Sequence, residues 1–213
     1  MVLIHGGFWR LPWDRTLMDP LAADLAGRGY AAVNVEYRKL GEEGGGWPGT
    51  CEDVVAALRA TARELDVERI ALVGHSAGGQ LALWAAHHAP SPISLVVSQA
   101  GVADLRSAAE ARLDGSADRP PAAVEFMGGA DYALASPIEL LPLGPSVHQL
   151  VVHGDADNRV PFQQSVEYVA AARAAGDSAE LAAFTGMGHF ELIDPAHESW
   201  RRTVAELGKR LGA

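Results

Sequence analysis

Six short apolar runs, separated by stretches with helical periodicity, constrain this chain more than any other feature. They are VLIH (2–5), AAVNVEY (31–37), RIALVG (69–74), SLVVS (94–98), QLVVH (149–153) and LAAFT (181–185). Most are apolar throughout instead of alternating, which marks strands buried on both faces of a parallel sheet. The helix ends between them are legible. Asp19-Pro20 supplies a cap with a proline in the first turn, and GRG (27–29) a stop. Thr50, with Asp53 three residues on, opens a second helix toward Leu65. A third follows Ser76 and ends before Pro90, another runs from Phe162 to Gly176, and the last begins at Asp194-Pro195 and ends at Gly212. This alternation predicts an α/β fold with a doubly wound, mostly parallel sheet.

Residues 100–148 break the rhythm. They hold no convincing strand and several turn signals, GSADRPP, MGGADY and LPLGP among them. An interruption of that length predicts a small lid or cap segment within a single domain spanning 1–213. It follows the C-terminal end of a strand, where ligand-shaping loops sit.

Composition narrows the function classes. Apolar residues at 48% and charged ones at 21% fit a globular domain. No apolar run approaches the ~18 residues of a membrane span, and MVLI lacks the basic segment and cleavage site of a signal peptide. Cys51 is the only cysteine, which excludes an internal disulfide and suits a reducing cytoplasm. A net charge of −10 repels phosphate backbones, so nucleic acid is not an expected partner.

The strongest chemical signal is LVGHSAGG (72–79). A strand ends at Gly74, a helix begins after Ser76, and Gly-x-Ser-x-Gly at such a turn is a nucleophile elbow. Gly74 and Gly78 must lack side chains for helix and strand to pack. Ser76 is thereby pushed out at a helix N-terminus, whose dipole favours a developing oxyanion. One oxyanion donor comes with the elbow, the N–H of Ala77. A second belongs to a glycine loop after an earlier strand, and HGGFW (5–9) fits it: Gly7 N–H as donor, with Phe8 N–H as co-donor. Trp9 and His75 are candidate substrate contacts, although Trp9 could equally pack around the loop.

An activated serine needs a base and an orienting carboxylate, and behind a nucleophile elbow in this architecture the chain order is serine, acid, histidine. That order removes six of the eight histidines and leaves His189 and His197. His189, in TGMGHF just past the final strand, is the expected base, while His197 lies in the first turn of the last helix. The acid comes from the loop HGDADNRVP (153–161), which offers both Asp155 and Asp157. His87-His88 point in different directions on their helix and are not expected to bind metal. Cys51 has no partner base and is expected to be inert. Trp47-Pro48 reads as either a pocket wall or an anchored turn.

Taken together, HGGFW, GHSAGG, HGDADNRVP and GMGHF resemble the α/β-hydrolase family over nearly the whole chain. An HGG-x-W loop followed by a GHSAG elbow is similar to kynurenine formamidases and related bacterial carboxylesterases. The resemblance implies a serine esterase or amidase acting on a small-molecule ester or amide, with no cofactor and no metal. It also implies that the fifth position of His-Gly-x-x-Asp-x-x-Val-Pro, Asp157, is the acid, and that Asp155 caps the loop. The expected activity is hydrolysis of esters of small acyl groups. The alternatives are release of formate from an N-formyl aromatic amine, and ligand binding without turnover.

The sequence departs from the family in showing no strand ahead of VLIH, where members normally carry two or more. The outer edge of 31–37 is therefore expected to be unpaired, and either covered by a second copy in a homodimer or completed by sequence upstream of Met1.

Overall fold

The computed structural model describes residues 1–65, 67–89 and 92–212; Pro90, expected to close the third helix, lies outside them. All six apolar runs become strands: β1 (Val2–Ile4), β2 (Val33–Val35), β3 (Ile70–His75), β4 (Ile93–Gln99), β5 (His148–Gly154) and β6 (Ser178–Phe184). They form one sheet in the order β2-β1-β3-β4-β5-β6, and every pair is parallel. Successive strand residues face opposite sides. Val2, Ile4, Leu72, Val96 and Val151 join one apolar layer, and Leu3, Val73, Val97, Leu150 and Val152 the other. Burial on both faces is why these runs read as continuous rather than alternating.

Helices cover the two layers. α1 (Asp19–Gly27) and α7 (Glu198–Leu211) pack on one face through Leu21, Leu25, Trp200 and Leu207. α2 (Gly49–Leu65), α3 (Ala77–His88) and α6 (Phe162–Ala174) pack on the other through Val54, Leu58, Leu81, Tyr168 and Val169. Among the described residues, no helix is long and apolar enough to cross a membrane. Between β4 and β5, in the stretch expected to lack strands, lie only α4 (Leu105–Glu110), α5 (Ala122–Met127) and two 3-10 turns.

Several boundaries differ from expectation, and β6 begins at Ser178 rather than at Leu181. α7 starts at Glu198 rather than at Asp194, because His197 is its cap and accepts the Ser199 N–H at 3.2 Å. β2 has three residues rather than seven. Asn34 turns its amide to Arg15 O and Asp19 Oδ1, both at 2.8 Å, and Tyr37 leaves the strand to bond His5 O. Among the described residues no strand pairs with the outer edge of β2. Three residues offer a much shorter template to another chain than seven would.

Far from the strands' C-terminal ends, Glu206 on α7 is buried and accepts hydrogen bonds from Arg202, Lys209 and Arg210. Burial pushes its carboxyl up, but the bonds from Arg210, Lys209 and Arg202 outweigh that and hold it down to about 2, from an ordinary 4.5. A folded pKa below the unfolded one contributes stability that is fully present above about pH 4.5 and is lost as pH falls through about 2. An unscreened shift of this size corresponds to about 3 kcal/mol. Lys209 and Arg210 are largely exposed, so about 1–2 kcal/mol is expected. Chemical denaturation of Glu206→Gln should show that loss at pH 7 and a gap that closes toward pH 2; a gap independent of pH would refute the assignment.

Candidate active site

The parallel register lines up the strand ends that carry the motifs. Gly74 of β3 pairs with Ile4 on one side and Ser98 on the other. HGGFW, the elbow and the loop after β5 therefore leave the sheet side by side.

At the elbow, Ser76 has φ 55° and ψ −120°, a backbone conformation that costs a non-glycine residue about 1–3 kcal/mol. The surroundings enforce it. Ser76 N–H is bonded to Gln99 O at 2.8 Å, while Ser76 O already accepts from Gly79 N–H at 2.8 Å to start α3. A Cβ on Gly74 would lie 2.0 Å from Gly78 O, so helix and strand touch through backbone alone. Ala77 is the first residue of α3, so its N–H has no intrahelical acceptor.

Opposite the elbow, Gly7 has φ +112°, and a Cβ there would lie 2.3 Å from Trp13 Cβ. Only glycine fits. His5 is fully buried, and its Nδ1 lies 2.7 Å from Gly6 O. The carbonyl and N–H of one trans peptide point opposite ways, so fixing Gly6 O fixes the direction of the Gly7 N–H. Among the described residues, neither Gly7 N–H nor Phe8 N–H has an acceptor. His5 Nε2 meets Glu36 Oε1 at 2.9 Å, anchoring the loop to the end of β2.

Of the two aspartates in the loop after β5, Asp157 is the one that reaches His189, whose Nδ1 donates to Asp157 Oδ2 at 2.6 Å. Asp155 instead accepts the Gly186 N–H at 2.6 Å, closing the loop that leads to His189. Burial pushes the Asp157 carboxyl up, but the hydrogen bonds from His153 and His189 prevail and hold it well below the usual carboxylate range. His75 donates from Nε2 to His189 O at 3.0 Å, and their rings lie 4.5 Å apart. Burial, then the nearby His189, pushes His75 down to about 3, so it is neutral at physiological pH. His197 caps α7 and does not reach this site.

Gly7, Phe8, Ser76, His75 and His189 line one cavity of about 70 Å³ together with Trp13, Leu17, Asp114, Arg159 and Phe190. Among the described residues no hydrogen bond joins Ser76 Oγ to the His189 ring. Such bonds commonly tighten only when substrate arrives.

Trp9 requires a correction. It is 1% exposed, stacks on Phe126 with centroids 4.4 Å apart, and donates from Nε1 to Gln80 Oε1 at 3.0 Å. It is therefore packing beneath the loop and does not line the cavity. Trp47 likewise sits edge-on against Trp84 at 5.6 Å and does not line this cavity. Cys51 is buried and burial raises its thiol, so it is inert. Among the described residues, no group of three or more His, Cys, Asp or Glu could hold a metal ion.

Several cavity residues were not singled out in the sequence. Trp13, Leu17 and Phe190 form its apolar rim, and Asp114 enters from the segment between β4 and β5. Arg10, next after HGGFW, is buried and bonds Asp114, Pro120 O and Glu125, tying that segment to the glycine loop. A charged residue directly after an apolar loop motif was the available sign.

Comparison with known proteins bears on the family and the fold. The pattern of the prolyl oligopeptidase family matches residues 20–207. A kynurenine formamidase of Meyerozyma guilliermondii is 37% identical over 86 residues, 39% of this chain but only 31% of that protein's length. Among solved structures, a truncated carbohydrate esterase from gut microbiota superposes with a TM-score of 0.79 at 23% identity, over 98% of this chain and 84% of that one. Esterase B from Lactobacillus rhamnosis gives 0.81 at 21% identity, over 98% and 74%. At these identities the two structures show a shared α/β-hydrolase fold.

Proposed function

Because this chain belongs to the prolyl oligopeptidase family, we propose that it is a serine hydrolase cleaving carboxylic esters of small acyl groups through an acyl-enzyme. The observation that carries this is a single cavity lined by Ser76, at a strained turn, and by His189, which is bonded to the buried Asp157. In this reading His189 takes the Ser76 proton as the hydroxyl oxygen attacks the ester carbonyl. Asp157 fixes the imidazole tautomer and stabilises its charged form. The N–H groups of Gly7 and Ala77, assisted by Phe8, hold the oxyanion. His189 then protonates the leaving alcohol, and water, deprotonated by His189, releases the acid and restores Ser76. Residues 100–148 act as the wall or lid of the cavity, since Asp114 comes from that segment.

The cavity's size argues for the small acyl group. About 70 Å³ leaves little room for a long acyl chain, whereas the exposed rim of Trp13 and Phe190 suits a larger leaving group outside. A series of nitrophenyl esters tests this. Acetate and butyrate should exceed octanoate in kcat/KM by about tenfold or more; equal rates along the series would overturn the small-acyl reading.

A second reading, hydrolysis of an N-formyl aromatic amide, is favoured by the partial match to a kynurenine formamidase and by a cavity with room for a formyl group. Including N-formylkynurenine in the same panel decides between them. Ligand binding without turnover would appear as a Ser76 that fails to react with a fluorophosphonate.

A further inference from the structure

Resting on the roles assigned above to Ser76, Asp157 and His189, we propose that His153 is a positioning residue of the reaction. Its Nε2–H holds Oδ2 of Asp157, the same oxygen that His189 binds, and so sets how strongly the acid pulls on the base. His153 lies at the end of β5, is fully buried and does not line the cavity. Its Nε2 is 3.1 Å from Asp157 Oδ2 and 3.2 Å from Val160 O. Both are acceptors, so Nε2 carries the proton. Nδ1 lies 2.7 Å from Ser165 Oγ on α6, and in the neutral ring it accepts the hydroxyl proton. Phe162 sets its ring at 73° against the imidazole, centroids 5.5 Å apart. The ring is thus held on three sides in one tautomer.

Packing alone does not call for a histidine here. Burying an imidazole is unfavourable unless its nitrogens are satisfied, and these are satisfied by the acid and by a hydroxyl. Asp157 Oδ1 already accepts Arg159 N–H at 2.7 Å and Val160 N–H at 2.9 Å, so the loop itself orients that oxygen. Oδ2, the oxygen facing His189, would have no second donor without His153.

When His189 accepts the serine proton, that second donor lowers the proton affinity of Oδ2. The Nδ1 proton then stays on His189, and Asp157 pulls on the ring less strongly than a singly bonded carboxylate would. The other titratable groups near His189 are His75 behind it, Glu191 beside Gly188, and Asp114 and Arg159 around the cavity. Among the described residues, none of these bonds Oδ2.

The test follows fluorophosphonate labelling and ester hydrolysis against pH in wild type, His153→Met and His153→Gln. His153→Met should lower kcat about tenfold, the scale seen when a partner orienting a reacting group is lost, with KM unchanged. The midpoint of its pH profile should rise by about half a unit to one unit, a fraction of the ~1–2 units that a hydrogen bond to a charged group is worth, because this bond reaches His189 only through Asp157. His153→Gln, which keeps an N–H toward Oδ2, should recover most of both effects. A His153→Met protein with the wild-type midpoint overturns the proposal, since a merely structural loss lowers the amount of active enzyme without moving a midpoint. Should His153→Met fail to fold, nitrogen-15 spectra of wild-type histidines decide: protonated Nε2 with bare Nδ1 on His153 supports the proposal, and the opposite tautomer or an imidazolium overturns it. Failure of the underlying reading looks different, because wild type itself would then not be labelled.

Discussion

Ser76→Ala should abolish ester hydrolysis, lowering kcat by at least ~10⁴-fold, while leaving the thermal unfolding curve near that of wild type. The hydroxyl lies at a cavity wall and makes no hydrogen bond within the described fold, so its removal takes away a nucleophile and little else. Alanine also has less to lose at φ 55° than a larger side chain would. His189→Ala should cost a comparable factor, because the base and nucleophile act as a unit and their losses do not add. His197→Ala is the control. It removes a helix cap, worth about 0.5–2 kcal/mol of stability, and should leave the activity of the folded protein unchanged. Measuring all three against one ester, alongside fluorophosphonate labelling, is decisive. Activity retained in Ser76→Ala, or lost equally in His197→Ala and His189→Ala, would refute the assignment.

Gly78→Ala should be severely destabilising for a single added methyl group. A Cβ at that position would lie 2.1 Å from Ile4 O and 2.5 Å from His5 O. Both are backbone atoms, at the end of β1 and the start of the glycine loop, so no side chain can swing aside. Either α3 moves away from β1 or β1 moves with its loop, and both motions displace Gly7 relative to Ser76. Overpacking of flexible cores costs about 1–3 kcal/mol; against rigid backbone a loss above ~3 kcal/mol is expected, a large share of the ~5–15 kcal/mol typical of a domain. Gly27→Ala at the end of α1 is the counterpart. Nothing lies within 4 Å of its Cβ, and helix propensity predicts a gain of up to about 1 kcal/mol. Denaturation midpoints of the two variants should move in opposite directions. A Gly78→Ala protein within ~1 kcal/mol of wild type would show that the contact yields more readily than the geometry implies.

Both expectations trace back to GHSAGG, the stretch where sequence and structure correspond most closely. The elbow is legible because its physics is local: a strand, a turn too tight for side chains, and a helix within eight residues. Asp157 differs in kind. The residues alone left it level with Asp155, the family resemblance favoured it, and the 2.6 Å contact with His189 is a fact of the fold. His153 was set aside as a base because it precedes the acid in the chain. Chain order says nothing of a contact made four residues later, where β5 ends and the loop doubles back. For Trp9 the sequence does not separate substrate contact from packing, since an aromatic beside a glycine loop suits either. Its burial depends on Phe126 and Gln80, which lie far along the chain.

The sequence by itself determined the strand–helix alternation, the doubly wound sheet and the position of the elbow. Each of these follows from periodicity or from sterics within one or two turns of chain. Only the tertiary structure decided how short β2 is, where α7 begins, which side chains form the cavity rim, and that Arg10 and His153 bind across loops. Those outcomes rest on side chains brought together from segments that can be more than a hundred residues apart. A buried guanidinium or imidazole takes its role from the acceptors that the fold delivers to it, and no local pattern encodes which acceptors those will be.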